Sequence, residues 1–166
     1  MTGRIFGALA ALVLTCAMPA PAHAGIQCVA FARAHSLVQL AGNARDWWAR
    51  AIGTYSRGQA PKAGAVLAFR ATSAMPMGHV AVVSKVLDAR RVLLDHANGR
   101  APGEGERGVM GVDVGPGGGW GAGRGWHSPS ASLGLRTSPA FGFIYPAAEA
   151  AAVTADAARA AFGRVR

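Results

Sequence analysis

Apolar and polar positions change rhythm about a third of the way along the chain. From Gly25 to about Gly42, the residues Val29, Phe31, Ala32, Leu37, Val38 and Leu40 recur at roughly helical spacing and predict a helix. A second helix is expected from about Ala44 to Tyr55, with Trp47, Trp48, Ala51 and Ile52 forming a mixed apolar face. Ser56-Arg57-Gly58-Gln59-Ala60-Pro61 reads as a turn and linker. Strand patterns follow. Ala65 to Phe69 is a short apolar run opened by Gly64, and a loop of Met75, Pro76, Met77 and Gly78 leads into valine-rich His79 to Val86. Arg91 to Asn98 is a further strand, Val109 to Val114 alternates moderately, and Phe141 to Tyr145 closes the core. Glycines crowd the stretch from Gly99 to Gly125, which is expected to be loop. Helices first and hairpin-linked strands afterwards argue for an α+β fold, with N-terminal helices packed on an antiparallel β-sheet.

The ends of the chain read differently. Arg4 precedes an uncharged apolar run from Ile5 to Ala17, and Ala22-His23-Ala24 offers a small-x-small cleavage site, the layout of a secretory signal. The run of 13 residues is short for a membrane span, which needs roughly 20. Thr15 before Cys16 is not the small residue expected ahead of a lipidated cysteine. The expected organisation is a signal peptide over residues 1–24, one domain over 25–146 and an alanine-rich tail or helix over 147–166. The expected location is periplasmic or extracellular, without stable membrane insertion after cleavage.

Export changes the meaning of the cysteines. Cleavage after Ala24 removes Cys16 and leaves Cys28 alone, and a lone cysteine in an oxidising compartment is a dimer bridge, a reactive thiol or a small buried hydrophobe. Hydrophobic residues make up 51% and charged residues 15%, which excludes a disordered chain. Lys and Arg number 17 against 8 Asp and Glu, a formal charge of +9 that attracts polyanions. The charge is scattered arginine without a lysine-rich run, so nucleic acid is not an expected partner, and a monomer is expected.

A cysteine hydrolase needs a thiolate, a base and a group that orients the base. Cys28 falls where the first helix should begin, and the unpaired N–H groups and partial positive charge there favour thiolate over thiol. A neighbouring imidazolium would lower its pKa further. His35 lies seven residues further along the same helix, about 10 Å up its axis, too far to act as base. His127 sits in a Gly/Pro/Ser-rich loop. His79 opens a strand directly after Gly78, so a sheet would fix its backbone. A hairpin around Asp88-Ala89 pairs Leu87 with Arg90 and Val86 with Arg91. Extended, that register sets Ala81 opposite His96 and His79 opposite Asn98. His79, His96 and Asn98 then share one face with Asp95 on the other, whereas a three-residue loop would bring Asp95 round instead. His96 is the preferred third member and Asp95 the competitor. One thiolate and two histidines without CxxC or HExxH spacing give little support for zinc, so neither metal nor organic cofactor is expected.

Gln27-Cys28-Val29-Ala30-Phe31-Ala32-Arg33 resembles the opening of CHAP domains, the cysteine, histidine-dependent amidohydrolase/peptidase family. Gly78-His79-Val80-Ala81-Val82-Val83 resembles the family's histidine strand, and Asp95-His96-Ala97-Asn98 the strand after it. Pro61-Lys62-Ala63-Gly64-Ala65-Val66-Leu67 is similar to its Pro-x-x-Gly entry into the first core strand. The resemblance spans roughly Gly25 to Pro146 and implies a papain-like, NlpC-like fold. It also implies cleavage of amide bonds in peptidoglycan, with Cys28 as nucleophile and His79 as base, while Asn98 and Gln27 are expected in supporting, substrate-facing roles. The chain departs at the third position, where His-x-Asn stands in place of the Glu-x-Asn of many relatives. A non-catalytic wall-binding module of the same fold and an amidase acting on another amide are the alternative readings. Trp47, Trp48, Trp120 and Trp126 are candidates to line a cleft; only one of Trp47 and Trp48 can face the core of a helix.

Overall fold

A computed structural model describes residues 27–98, 103–127 and 132–147; the expected signal, its cleavage site and nearly all of the alanine-rich tail lie outside them. The elements run α1 (Cys28–His35), a 3-10 turn (Ala44–Asp46), α2 (Trp47–Arg50), β1 (Arg57–Gly58), β2 (Val66–Phe69), β3 (His79–Asp88) and β4 (Arg91–Ala97). β5 (Gly105–Asp113), β6 (Ala122–His127), β7 (Ser132–Leu133) and β8 (Ser138–Ile144) follow.

Strand order is β1-β8-β2-β3-β4-β5-β6-β7, and an added pairing of β6 with β8 closes β2, β3, β4, β5, β6 and β8 into an antiparallel barrel of 6 strands. The architecture is mostly β with only two short helices, which corrects the expected α+β, papain-like/NlpC-like arrangement of N-terminal helices packed on an antiparallel β-sheet. Both helices are far shorter than expected. α1 stops at His35 because Ser36 is extended (φ −140°, ψ 167°), and residues 38–43 continue without helix. The second helix shrinks to a 3-10 turn and the four residues of α2. The strand expected at Val109–Val114 is the second half of β5, while the rest of β5 and β6, expected as loop, complete the ring.

Closure depends on strand irregularities, which increase twist and bend the sheet. The register between β2 and β8 shifts between Ala68 and Phe69, opposite Gly142 and Ala140. Gly142 has φ +126°, and a Cβ there would lie 2.5 Å from the Gly58 carbonyl oxygen. Glycine is therefore required where β8 turns from β2 toward Ala122 and Gly123 of β6.

Two apolar layers result. Leu67, Ala81, Val83, Val92, Leu94, Trp120, Ala140 and Phe143 fill the barrel. On its outer face Val66, Ala68, Val80, Val82 and Ile144 pack against Ala32, Val38, Leu40, Ala44, Trp47 and Ala51 of the N-terminal segment. β2 and the first half of β3 are thus covered on both faces, which explains their unbroken apolar runs. Of the candidate tryptophans, Trp47 is fully buried in the outer layer, while Trp48 is half-buried and stacks on Phe141. Trp120 donates its indole N–H to the Ala89 carbonyl inside the barrel. The side chain of Trp126 lies outside the described residues.

Candidate active site

His79 begins β3 and its position is set from behind. Gly78 has φ +68°, and a Cβ there would come within 2.6 Å of the Arg45 backbone nitrogen. That close approach lets Arg45 N–H donate to the Met77 carbonyl at 2.8 Å, locking the 3-10 turn to the loop that delivers His79. The imidazole packs into the barrel mouth against Phe69, its cross-strand partner, with ring centroids 5.9 Å apart. Its Nε2 lies 3.2 Å from Nδ1 of His96, and the two rings meet edge to face.

The β3–β4 register explains the meeting. The turn is Ala89-Arg90, with Asp88 opposite Arg91, so the expected pairing of Val86 with Arg91 is replaced by Val86 with Val92. Two irregularities, between Val83 and Lys85 and between Val86 and Asp88, then restore Val82 opposite Asp95. Near the site the register is the expected one. Asp95 points elsewhere: it accepts from Gly108 N–H at 2.8 Å and from Arg107 at 3.4 Å. Arg107 also reaches His35 Nε2 and lies over the Phe31 ring. His35 is held at the C-terminal end of α1, stacked on Phe31 and bonded through Nδ1 to the Phe31 carbonyl.

Cys28 opens α1, which lies against β3 and β4. Its sulfur is half-buried, and the backbone N–H groups of Val80, the residue after His79, and of Val29 and Cys28 itself favour the thiolate there. Gln27, Cys28, His79, His96 and Asn98 all line one cleft of ≈690 Å³ at the barrel mouth. Asn98 adopts φ 63°, a conformation asparagine tolerates. Its amide donates to the Gln27 side-chain oxygen at 3.1 Å, and its own oxygen accepts from Gly103 N–H. Asn98 thereby ties Gln27 beside the sulfur. A depression of ≈640 Å³ at the far end of β3 and β4, lined by residues 88–91 and 112–114, holds neither cysteine nor histidine.

Electrostatics depart from the expected thiolate–imidazolium pair. Burial raises the Cys28 thiol above its ordinary 9.0, outweighing the three backbone N–H groups on the sulfur. Burial, and secondly the neighbouring His96, lower His79 from 6.5 to about 3. His96 is also lowered by burial, with Glu106 and Asp95 opposing. Both shifts favour the neutral forms, thiol and imidazole, at neutral pH.

Sequence reasoning missed three parts of the site. Glu106 stands directly across from His96 in the β4–β5 pairing, with Oε2 3.8 Å from His96 Nε2. Arg124 and Arg136 line the cleft, and no acidic residue does so among its described lining residues. All three fall in or beyond the glycine-rich stretch, where no clear periodicity marks a strand. His127 ends β6 and is not in a loop; its side chain lies outside the described residues. Among the described residues no three His, Cys, Asp or Glu group as metal ligands.

Fold and site define a small β-barrel protein with a cysteine and two histidines gathered in its mouth. Residues 18–98 match the family model of the CHAP domain, the family that the cysteine and histidine motifs resemble. The matched span contains Cys28, His79, His96 and Asn98 and ends before β5. A CHAP domain indicates a peptidoglycan-related amidase or peptidase role. No curated protein and no solved structure matches the chain.

Proposed function

We propose that the chain is an exported cysteine hydrolase that cleaves amide bonds of peptidoglycan, with Cys28 as nucleophile and His79 as base. The observation that carries this reading is the single cleft that Cys28 and His79 line together with His96 and Asn98.

Because thiol and imidazole are both neutral, the proton moves during attack. As the Cys28 sulfur bonds to the substrate carbonyl carbon, its proton passes to His79, whose Nε2 already faces His96 and whose Nδ1 is the ring's other nitrogen. The tetrahedral oxyanion forms beside the Cys28 backbone N–H at the start of α1. His79 then gives its proton to the leaving amine, and water attacks the thioester with His79 again taking a proton. His96 orients the base, and Gln27 and Asn98 hold the substrate side of the sulfur. Arg124 and Arg136 suit the carboxylates of peptide stems, which planar guanidinium groups bind in pairs. The apolar N-terminal run with its small-x-small site would carry the chain out of the cytoplasm.

Incubation with defined muropeptides followed by mass spectrometry tests this. New products separated by hydrolysis of one amide bond, absent with Cys28→Ala, are expected. Binding to wall material with every mass unchanged would make the protein a non-catalytic module and sink the proposal.

A further inference from the structure

Glu106 is placed to do more than border the site. The β4–β5 pairing shifts between Leu94 and His96, leaving Arg107 and Gly108 between the partners of those two residues. Gly108 takes φ +63° in that irregularity. One consequence is that Asp95 is occupied by Gly108 and Arg107 on the outer side. The other is that Glu106 falls opposite His96 on the inner side. Both side chains are largely buried, His96 to 12% and Glu106 to 19% exposure. His79 from β3 and Glu106 from β5 face His96, and Asp95, its neighbour on β4, acts on it from the other face.

Resting on the hydrolase reading, we propose that Glu106 is a positioning residue that sets the tautomer of both histidines. An ionised carboxylate attracts the Nε2–H of His96, which leaves His96 Nδ1 as an acceptor. His79 must then donate its own Nε2–H across the 3.2 Å contact, and its lone pair is confined to Nδ1. When the Cys28 proton reaches Nδ1, His79 becomes a cation that keeps its Nε2–H on His96. Glu106 offsets that charge through the neutral His96 ring, and no proton leaves His96. The same arrangement supplies a negative charge in a chain whose third position is a neutral histidine.

Long-range nitrogen–proton NMR of the imidazoles tests the assignment without relying on turnover. At neutral pH both His79 and His96 are expected as Nε2–H tautomers. Glu106→Leu should release His96 into a mixture and lower kcat by about tenfold or more with KM little changed. Glu106→Gln, which keeps an acceptor but no charge, should retain the tautomers, recover part of kcat and confirm that the fold survives substitution. Unchanged tautomers and unchanged kcat in Glu106→Leu would overturn the role. Tautomers that follow Glu106 in a protein that hydrolyses no muropeptide would uphold it and remove the hydrolase reading instead.

Discussion

Desolvation decides the chemistry at the scale of single residues. A thiol raised above 9.0 reacts slowly with alkylating agents at neutral pH and accelerates as pH climbs. Iodoacetamide labelling of Cys28 is therefore expected to rise with pH past 9 without a plateau near neutrality; a plateau at neutral pH would show a preformed thiolate. His79 makes a second, thermodynamic statement. Its folded value of about 3 lies below the ordinary 6.5, so between these values the unfolded chain binds a proton that the folded chain refuses. Stability is fully present above 6.5 and declines as pH falls toward about 3, with His96 acting in the same direction. The slope from one such group is at most roughly 1.4 kcal/mol per pH unit. Denaturant midpoints compared at pH 7 and pH 4.5 should fall less in His79→Gln than in the unsubstituted protein. The placement of Cys28 and His79 at the start of α1 and β3 was legible in the sequence, because each begins an element whose pattern is clear on one side. Their ionisation was not, since burial depends on the strands that close over them.

Elements hold the site through two junctions. The first is Gly78, where the 3-10 turn touches the backbone ahead of His79. Gly78→Ala adds positive-φ strain and a backbone clash, and should cost about 1–3 kcal/mol in denaturation midpoint while displacing His79 and lowering activity. The second is the β4–β5 irregularity, which assigns Asp95 and His96 to different faces. Asp95→Asn is expected to leave turnover within about threefold, while His96→Ala loses about tenfold or more. Equal losses in the two variants would return Asp95 to the site. The register near the site was readable from the hairpin although the expected turn was wrong, because two later irregularities compensate for it. Glu106 was unreadable for a related reason: its pairing depends on Gly108, and a glycine-rich segment carries too few side chains to announce a strand. The helices were overextended because residues 37–55 keep apolar spacing while Ser36 and the 3-10 turn break the hydrogen-bond ladder.

At the scale of the molecule, the apolar runs of β2 and β3 mark strands covered on both faces, which suits a barrel wall as well as an open sheet. The choice between the two lay in the β6–β8 pairing, made by residues some distance apart with little side-chain pattern. Closure turns the sheet's inner face into a cavity whose mouth gathers groups from α1, β3, β4 and β5. No described helix is long and apolar enough to cross a membrane.

Turnover of a defined muropeptide by Cys28→Ala, His79→Ala and the double variant tests the joint action of these two groups most directly. If sulfur and imidazole work as one unit, each single substitution should drop the rate to the same floor and the double should go no lower. Near-normal hydrolysis by either single variant would contradict the account.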